Sequence, residues 1–234
     1  MNEDILVSLS PEQVAKDQQR FITKVYSWMA FALAITGFVA MYTASSFSMT
    51  QFIVGNKIVF YGLIIGELLL VGSLVGLVNR LSSKAAIALF ILYSVLNGLT
   101  LSVVFLIYTT GSIASTFFIA GGMFALMSAY GYFTGNDLTK FGSILFMLLI
   151  GLIIASIVNF FLSSTALYWI TTYVGIFIFT GLVAYDTQKI KNMGATVTEG
   201  TEEHRKGAVL GALSLYLDFI NLFLMLLRIF GNRR

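Results

Sequence analysis

Three acids and one arginine, Glu67, Asp186, Asp218 and Arg80, stand within or at the ends of long apolar runs. Acids so placed must be protonated, paired or turned toward a polar surface, because an isolated carboxylate in hydrocarbon costs several kcal/mol, about 3 on insertion scales. Asp218 is the plainest case. It lies with Asn221 near the middle of Gly207–Gly231, GAVLGALSLYLDFINLFLMLLRIFG. At about 100° per residue, Gly207, Gly211, Ser214, Asp218 and Asn221 fall on one narrow arc of a helix. That small, polar stripe must face protein or a water-filled path, with Ser214 and Asn221 as its further polar members. Other chemistry is poorly served. Cysteine is absent and the single histidine, His204, stands in a charged stretch read as a solvated loop, so thiolate sites, histidine metal centres and nucleophile–histidine triads are not expected. Two intramembrane aspartates also serve aspartyl proteases, but the glycine–aspartate string of those enzymes is missing: Asp186 follows Tyr185 and Asp218 follows Leu217. The expectation is that the chain is not an enzyme.

The elements that hold these groups follow from composition. The chain has 234 residues, 58% hydrophobic and 11% charged, with mean hydropathy +0.89. A soluble domain of that balance would expose large apolar patches, so the class is integral membrane protein, all-α. Seven segments have the roughly 20 residues of an α-helical crossing: Val25–Ala44, Ile58–Val78, Ala85–Ile107, Ile113–Phe133, Phe141–Leu162, Tyr168–Ile190 and Gly207–Phe230. Residues 25–234 thus form one transmembrane domain, with residues 1–24 a cytoplasmic tail. Ser10-Pro11-Glu12-Gln13 reads as a helix start, leading into the first span. A net charge of +3, dispersed along the chain, gives no nucleic-acid surface.

Charge distribution sets orientation. With the N-terminus inside, the cytoplasmic side holds Lys16, Arg20, Lys24, Arg80, Lys84, Lys140, Lys189, Lys191, Arg205 and Lys206. The far loops hold only Lys57. Arg228, Arg233 and Arg234 at the C-terminus run against this rule, so either they are tolerated outside or the last segment re-enters; seven full crossings are the favoured reading.

Smaller signals concern packing. Gly62, Gly66, Ser73, Gly76 and Arg80 share one face of the second segment, and Gly62-xxx-Gly66 is read as a close helix contact. Arg80 either continues this inward stripe to reach an acid or snorkels to lipid phosphates. Glu67 lies about 140° from the stripe. Asn97, Asn159 and Thr180 are read as interhelical hydrogen-bond formers. Asp218 is eleven residues past Gly207, about 17 Å at 1.5 Å per residue. For Asp186 to lie level with it, the sixth helix must continue past Ile190 toward Ala195, with a turn near Glu199–Glu203.

The strings AYDTQKI, ALSLYLDFINLFLMLLRIFG and YGYFTGNDLTKFGSILFMLLIGLIIASIVNFFL resemble the Bax inhibitor-1 (TMBIM) family in its bacterial branch, and the resemblance runs from about Thr23 onward. It implies seven transmembrane helices with the C-terminal helix central, surrounded by the other six. It also implies a pH-sensitive calcium leak, with calcium as the transported ion and no bound cofactor. The family's proton-sensing aspartates match Asp186 and Asp218, its latch arginine matches Arg80, and its pathway glutamate matches Glu67 after a small register shift. Two carboxyls held close in low dielectric cannot both ionise cheaply, so they titrate as a coupled unit. They would bind calcium weakly and transiently, since that ion prefers six to eight oxygens. The implied setting is the bacterial inner membrane, and the partners are calcium ions, protons and the lipid bilayer. Some bacterial relatives are understood to modulate a membrane-anchored AAA protease, which makes a binding regulator docking through Met1–Lys24 the alternative.

Overall fold

The computed structural model describes residues 11–234; Ser10, and with it the helix cap expected there, lies outside the described residues, as do residues 1–10 of the N-terminal segment. Among the described residues there are eight helices and no strand: α1 (Pro11–Ser45), α2 (Phe47–Ile53), α3 (Lys57–Leu77), α4 (Ser83–Ile107), α5 (Thr110–Phe133), α6 (Thr139–Leu162), α7 (Thr165–Thr196) and α8 (Glu202–Phe230). All but the seven-residue α2 are long and apolar enough to cross a membrane, so the fold is an all-α integral membrane protein with seven spanning helices. Pro11 opens α1, where a missing N–H costs nothing. Asn56 caps α3 by accepting from Ile58 and Val59 N–H, and Thr109 caps α5 through Ser112 N–H.

The apolar surface is distributed unevenly. In α3 only 6% of the apolar stretch is buried and in α6 11%, whereas α8 reaches 72%. A helix that is apolar all round and hardly covered by protein presents its side chains to acyl chains.

The chain forms two compact units, and both α7 and α8 contribute to each. One comprises the chain up to Ile107 with Ile190–Tyr216 and Arg234; the other comprises Tyr108–Lys189 and Leu217–Arg233. In the first unit α4 packs on α1, and Gly98 is where they meet: a Cβ there would stand 2.8 Å from the Thr36 carbonyl oxygen. The α7–α8 turn also belongs to this unit. α7 runs to Thr196, well past Ile190 as the depth argument requires, and Gly200 turns the chain with φ +84° before α8 starts at Glu202. Glu202 accepts from the Ser83 N–H (2.8 Å) and hydroxyl (3.0 Å), tying this turn to the start of α4. Arg20 pairs with Glu199 at 3.1 Å.

Two expectations are corrected here. His204 is no loop residue: it stands in the first turn of α8, 4% exposed, with its ring edge-on to Phe21 at 5.0 Å. The charged stretch folds back as helix and covers the ring. Gly62-xxx-Gly66 is no close contact either. A Cβ on Gly62 would meet nothing within 4 Å, and one on Gly66 only the tip of Leu96. Close approaches occur instead where glycine faces another helix's backbone or bulk.

In the second unit those approaches surround one stretch of α7. Gly131 of α5 lies directly on the Ala184 carbonyl, Gly142 of α6 on the Tyr185 ring, and Gly181 of α7 on Leu145 and Phe141. Small residues let backbones approach in a medium that offers no hydrophobic drive between helices.

Candidate functional site

Four consecutive side chains of α7 each meet a different part of the second unit. Tyr185 lies over Gly142, Asp186 reaches α8, the Thr187 hydroxyl meets Ser128 of α5 at 3.1 Å, and Gln188 clamps the α5–α6 loop. The clamp is two-sided: Gln188 Oε1 accepts from Leu138 N–H and Nε2 donates to the Asn136 carbonyl, both at 2.8 Å. Beside it, Asp137 accepts from the Thr139 hydroxyl (2.6 Å) and N–H (2.9 Å), and those bonds hold its carboxyl below the usual range. Asp186 is thus fixed by both of its neighbours in sequence.

Its partner is Asp218. The two carboxyl groups hydrogen-bond to each other, and both side chains are buried, at 7% and 5% exposure. A carboxylate only accepts hydrogen bonds, so a bond between two carboxyls requires a proton on at least one. Asp218 Oδ2 is fully buried with no hydrogen-bond partner among the described residues. Next to it in sequence, Phe219 packs edge-on against Phe117 (5.2 Å) and Phe124 (5.8 Å). The exposed Lys189, one turn beyond Asp186, attracts the Asp186 carboxylate.

The first unit holds a second acidic centre. Glu67 accepts from Thr100 Oγ1 (2.8 Å) and Asn97 Nδ2 (3.3 Å); Tyr216 donates to Asn97 Oδ1 (3.1 Å) and contacts Thr36 Oγ1 (2.7 Å). Helices α1, α3, α4 and α8 are thereby joined by one hydrogen-bonded chain, buried at Tyr216 and half-buried where it ends on the Glu67 carboxyl. Asn97, as expected, bonds between helices. Asn159 and Thr180 do not follow that expectation: Asn159 accepts from Ser164 N–H to close its own helix end, and the buried Thr180 hydroxyl has no partner among the described residues. Tyr216, Thr36 and Thr100 carry no charge, and nothing in the one-dimensional pattern distinguishes them from ordinary span residues. Replacing Tyr216 with Phe leaves Asn97 Oδ1 without its donor, and an unsatisfied buried polar group costs about 1–3 kcal/mol. Thermal unfolding of that variant in detergent is expected to fall by several degrees; an unchanged midpoint would contradict a structural role for the chain of bonds.

The remaining candidates are placed as follows. Arg80 lies exposed in the turn after α3 and forms no ion pair among the described residues. Ser214 is half-buried on α8, and Asn221 donates to the Leu217 carbonyl of its own helix at 2.8 Å. No group of three or more His, Cys, Asp or Glu that could hold a metal ion occurs among the described residues.

A protein-family model described as "Inhibitor of apoptosis-promoting Bax1" matches residues 18–234, which include Glu67, Asp186 and Asp218. The chain belongs to the Bax inhibitor-1 family. Among the relatives of this Bax inhibitor-1 family member is "Inner membrane protein YbhL" of Escherichia coli K12, 54% identical over 217 residues, covering 92% of this chain and 93% of YbhL. A Borreliella burgdorferi protein described as uncharacterized is 46% identical, covering 93% of this chain and 94% of its own length. A Streptococcus pyogenes serotype M6 membrane protein, likewise uncharacterized, is 35% identical over 99% of both chains.

Proposed function

We propose that this Bax inhibitor-1 family member is a pH-sensitive calcium leak of the bacterial inner membrane, oriented with its N-terminus in the cytoplasm. The observation that carries this reading is the carboxyl–carboxyl hydrogen bond between Asp186 and Asp218, buried within spanning helices. Such a pair changes its charge and its bonding together: with one proton it joins α7 to α8, and with none it becomes two like charges in low dielectric. In this reading Glu67 is a further acid on the path, and Arg80, exposed and without an ion pair among the described residues, would have to move to act as the latch.

Weak ion binding fits the donor set. Two carboxyls supply at most four oxygens, and the ones engaged in their mutual bond are not available to a cation. Asp218 Oδ2 offers a single buried acceptor. Calcium prefers six to eight oxygens, so water must complete its shell, and an incompletely held ion can leave. The setting in the inner membrane is supported by the printed name of the E. coli relative. The test is calcium flux across proteoliposomes of the purified chain, with pH varied. Flux above protein-free vesicles that changes with pH is expected; vesicles no leakier than controls at any pH would refute the proposal.

A further inference from the structure

Two of the three C-terminal arginines that run against the charge rule for orientation, Arg228 and Arg233, line a cup in the second unit. Its volume is about 530 Å³, and Asn159, Ser163, Tyr168, Trp169, Arg228 and Arg233 line it, with no acid among the lining residues. The chain closes it firmly at the C-terminal end. Asn232 N–H donates to Ser112 Oγ at 2.8 Å, Thr109 N–H donates to the Asn232 carbonyl at 3.0 Å, and the Ser112 hydroxyl holds the Phe230 carbonyl at 3.2 Å. Among the described residues both cations have neutral partners. The Arg228 guanidinium lies 5.0 Å over the Tyr168 ring and reaches Thr172 Oγ1 at 3.5 Å; Arg233 bonds to the hydroxyls of Tyr108 and Tyr168. Neither forms an ion pair among the described residues.

Aromatic rings and hydroxyls orient a guanidinium without neutralising it, so the cup holds two positive charges and room for an anion. Arginine presents a planar fork that matches phosphate oxygens. Its surroundings narrow the source of that anion. On the helix end that leads into the cup, Phe160, Phe161 and Leu162 are 68%, 78% and 65% exposed, and Trp169 contributes an amphipathic ring of the kind found at the membrane–water interface. A soluble anion needs only the cations; a lipid needs a cationic cup beside an apolar flank.

We propose that this cup binds the phosphate headgroup of an anionic phospholipid, whose acyl chains lie along the exposed end of α6. The occupant offsets the charge of Arg228 and Arg233 and so reconciles a basic C-terminus with seven crossings.

The test uses the full chain in detergent, titrated with phosphatidylglycerol, phosphatidylcholine or inorganic phosphate. Thermal unfolding is followed, together with the emission of Trp169 in a Trp28→Phe background, where it is the remaining tryptophan. Phosphatidylglycerol is expected to raise the midpoint and shift the emission saturably, with neither effect from the other two. Hydrogen bonds to charged groups contribute enough that Arg233→Gln or Arg228→Gln is expected to weaken binding about tenfold. Lys57→Gln, outside the cup, keeps wild-type binding. Arg233 lies beyond the end of α8, so its variant tests the cup even where Arg228→Gln fails to fold. Equal shifts with phosphatidylcholine, or unaltered binding in Arg233→Gln, overturn the proposal; an equal response to inorganic phosphate alone overturns the lipid assignment.

Discussion

Asp218→Asn is expected to flatten the dependence of calcium flux on pH. The side chain keeps its size and can still donate a hydrogen bond to Asp186, so α7 and α8 stay joined. What disappears is the ability of the pair to exchange one shared proton for two negative charges. Two acids coupled by more than about one pK unit exert a differential of about 1.4 kcal/mol between protonation states, which moves an open–closed equilibrium about tenfold. That factor is the size of the pH response the variant should lose. Asp186→Asn should act in the same way, and the double variant no more strongly than either single one, because the property belongs to the pair. A variant that keeps the full wild-type slope would place the proton sensor elsewhere, with Glu67 the next acid to test.

The second large effect concerns packing. Gly131→Val is expected to destabilise the protein strongly, because its Cβ would run into the Ala184 backbone carbonyl, which cannot rotate aside as a side-chain tip can. Overpacking of this kind costs about 1–3 kcal/mol or more. The damage falls two residues from Asp186, so residual flux should also lose its pH response. Gly121→Ala in the same helix is the control: its Cβ would meet nothing within 4 Å, and alanine is the better helix former by about 1 kcal/mol. Thermal unfolding in detergent separates the two. Equal midpoints would mean that α5 and α7 do not touch at Gly131.

Much of the spanning architecture is legible in the chain because the bilayer imposes a length. Runs of about 20 apolar residues between charges can do little else. The continuation of α7 beyond Ile190 is legible too, from the depth of Asp218. Packing is not. Gly62-xxx-Gly66 and Gly131 look alike in one dimension, but only Gly131 meets a backbone, since spacing says which residues share a face and not which face has a neighbour. His204 misleads for a related reason: flanking charges suggest solvent, yet a helix's first turn can carry charges outward while one ring turns inward against Phe21. At the site, the aspartates stand out because carboxyls in spans are costly and therefore rare. Of the groups around Glu67, Asn97 stands out as an amide in a span, but Thr100, Tyr216 and Thr36 do not, because tyrosine and threonine cost little in a span and leave no mark there.

The claim most exposed to test is the shared proton itself. Infrared difference spectroscopy of the protein in lipid, titrated through pH, reports protonated carboxyl groups by their C=O stretch; a Glu67→Gln background removes the other intramembrane acid. A protonated carboxyl that titrates in Glu67→Gln and vanishes when Asp186→Asn and Asp218→Asn are added is the predicted result. A background protein with no protonated carboxyl at any pH near neutrality, or a band that survives loss of both aspartates, would contradict the account.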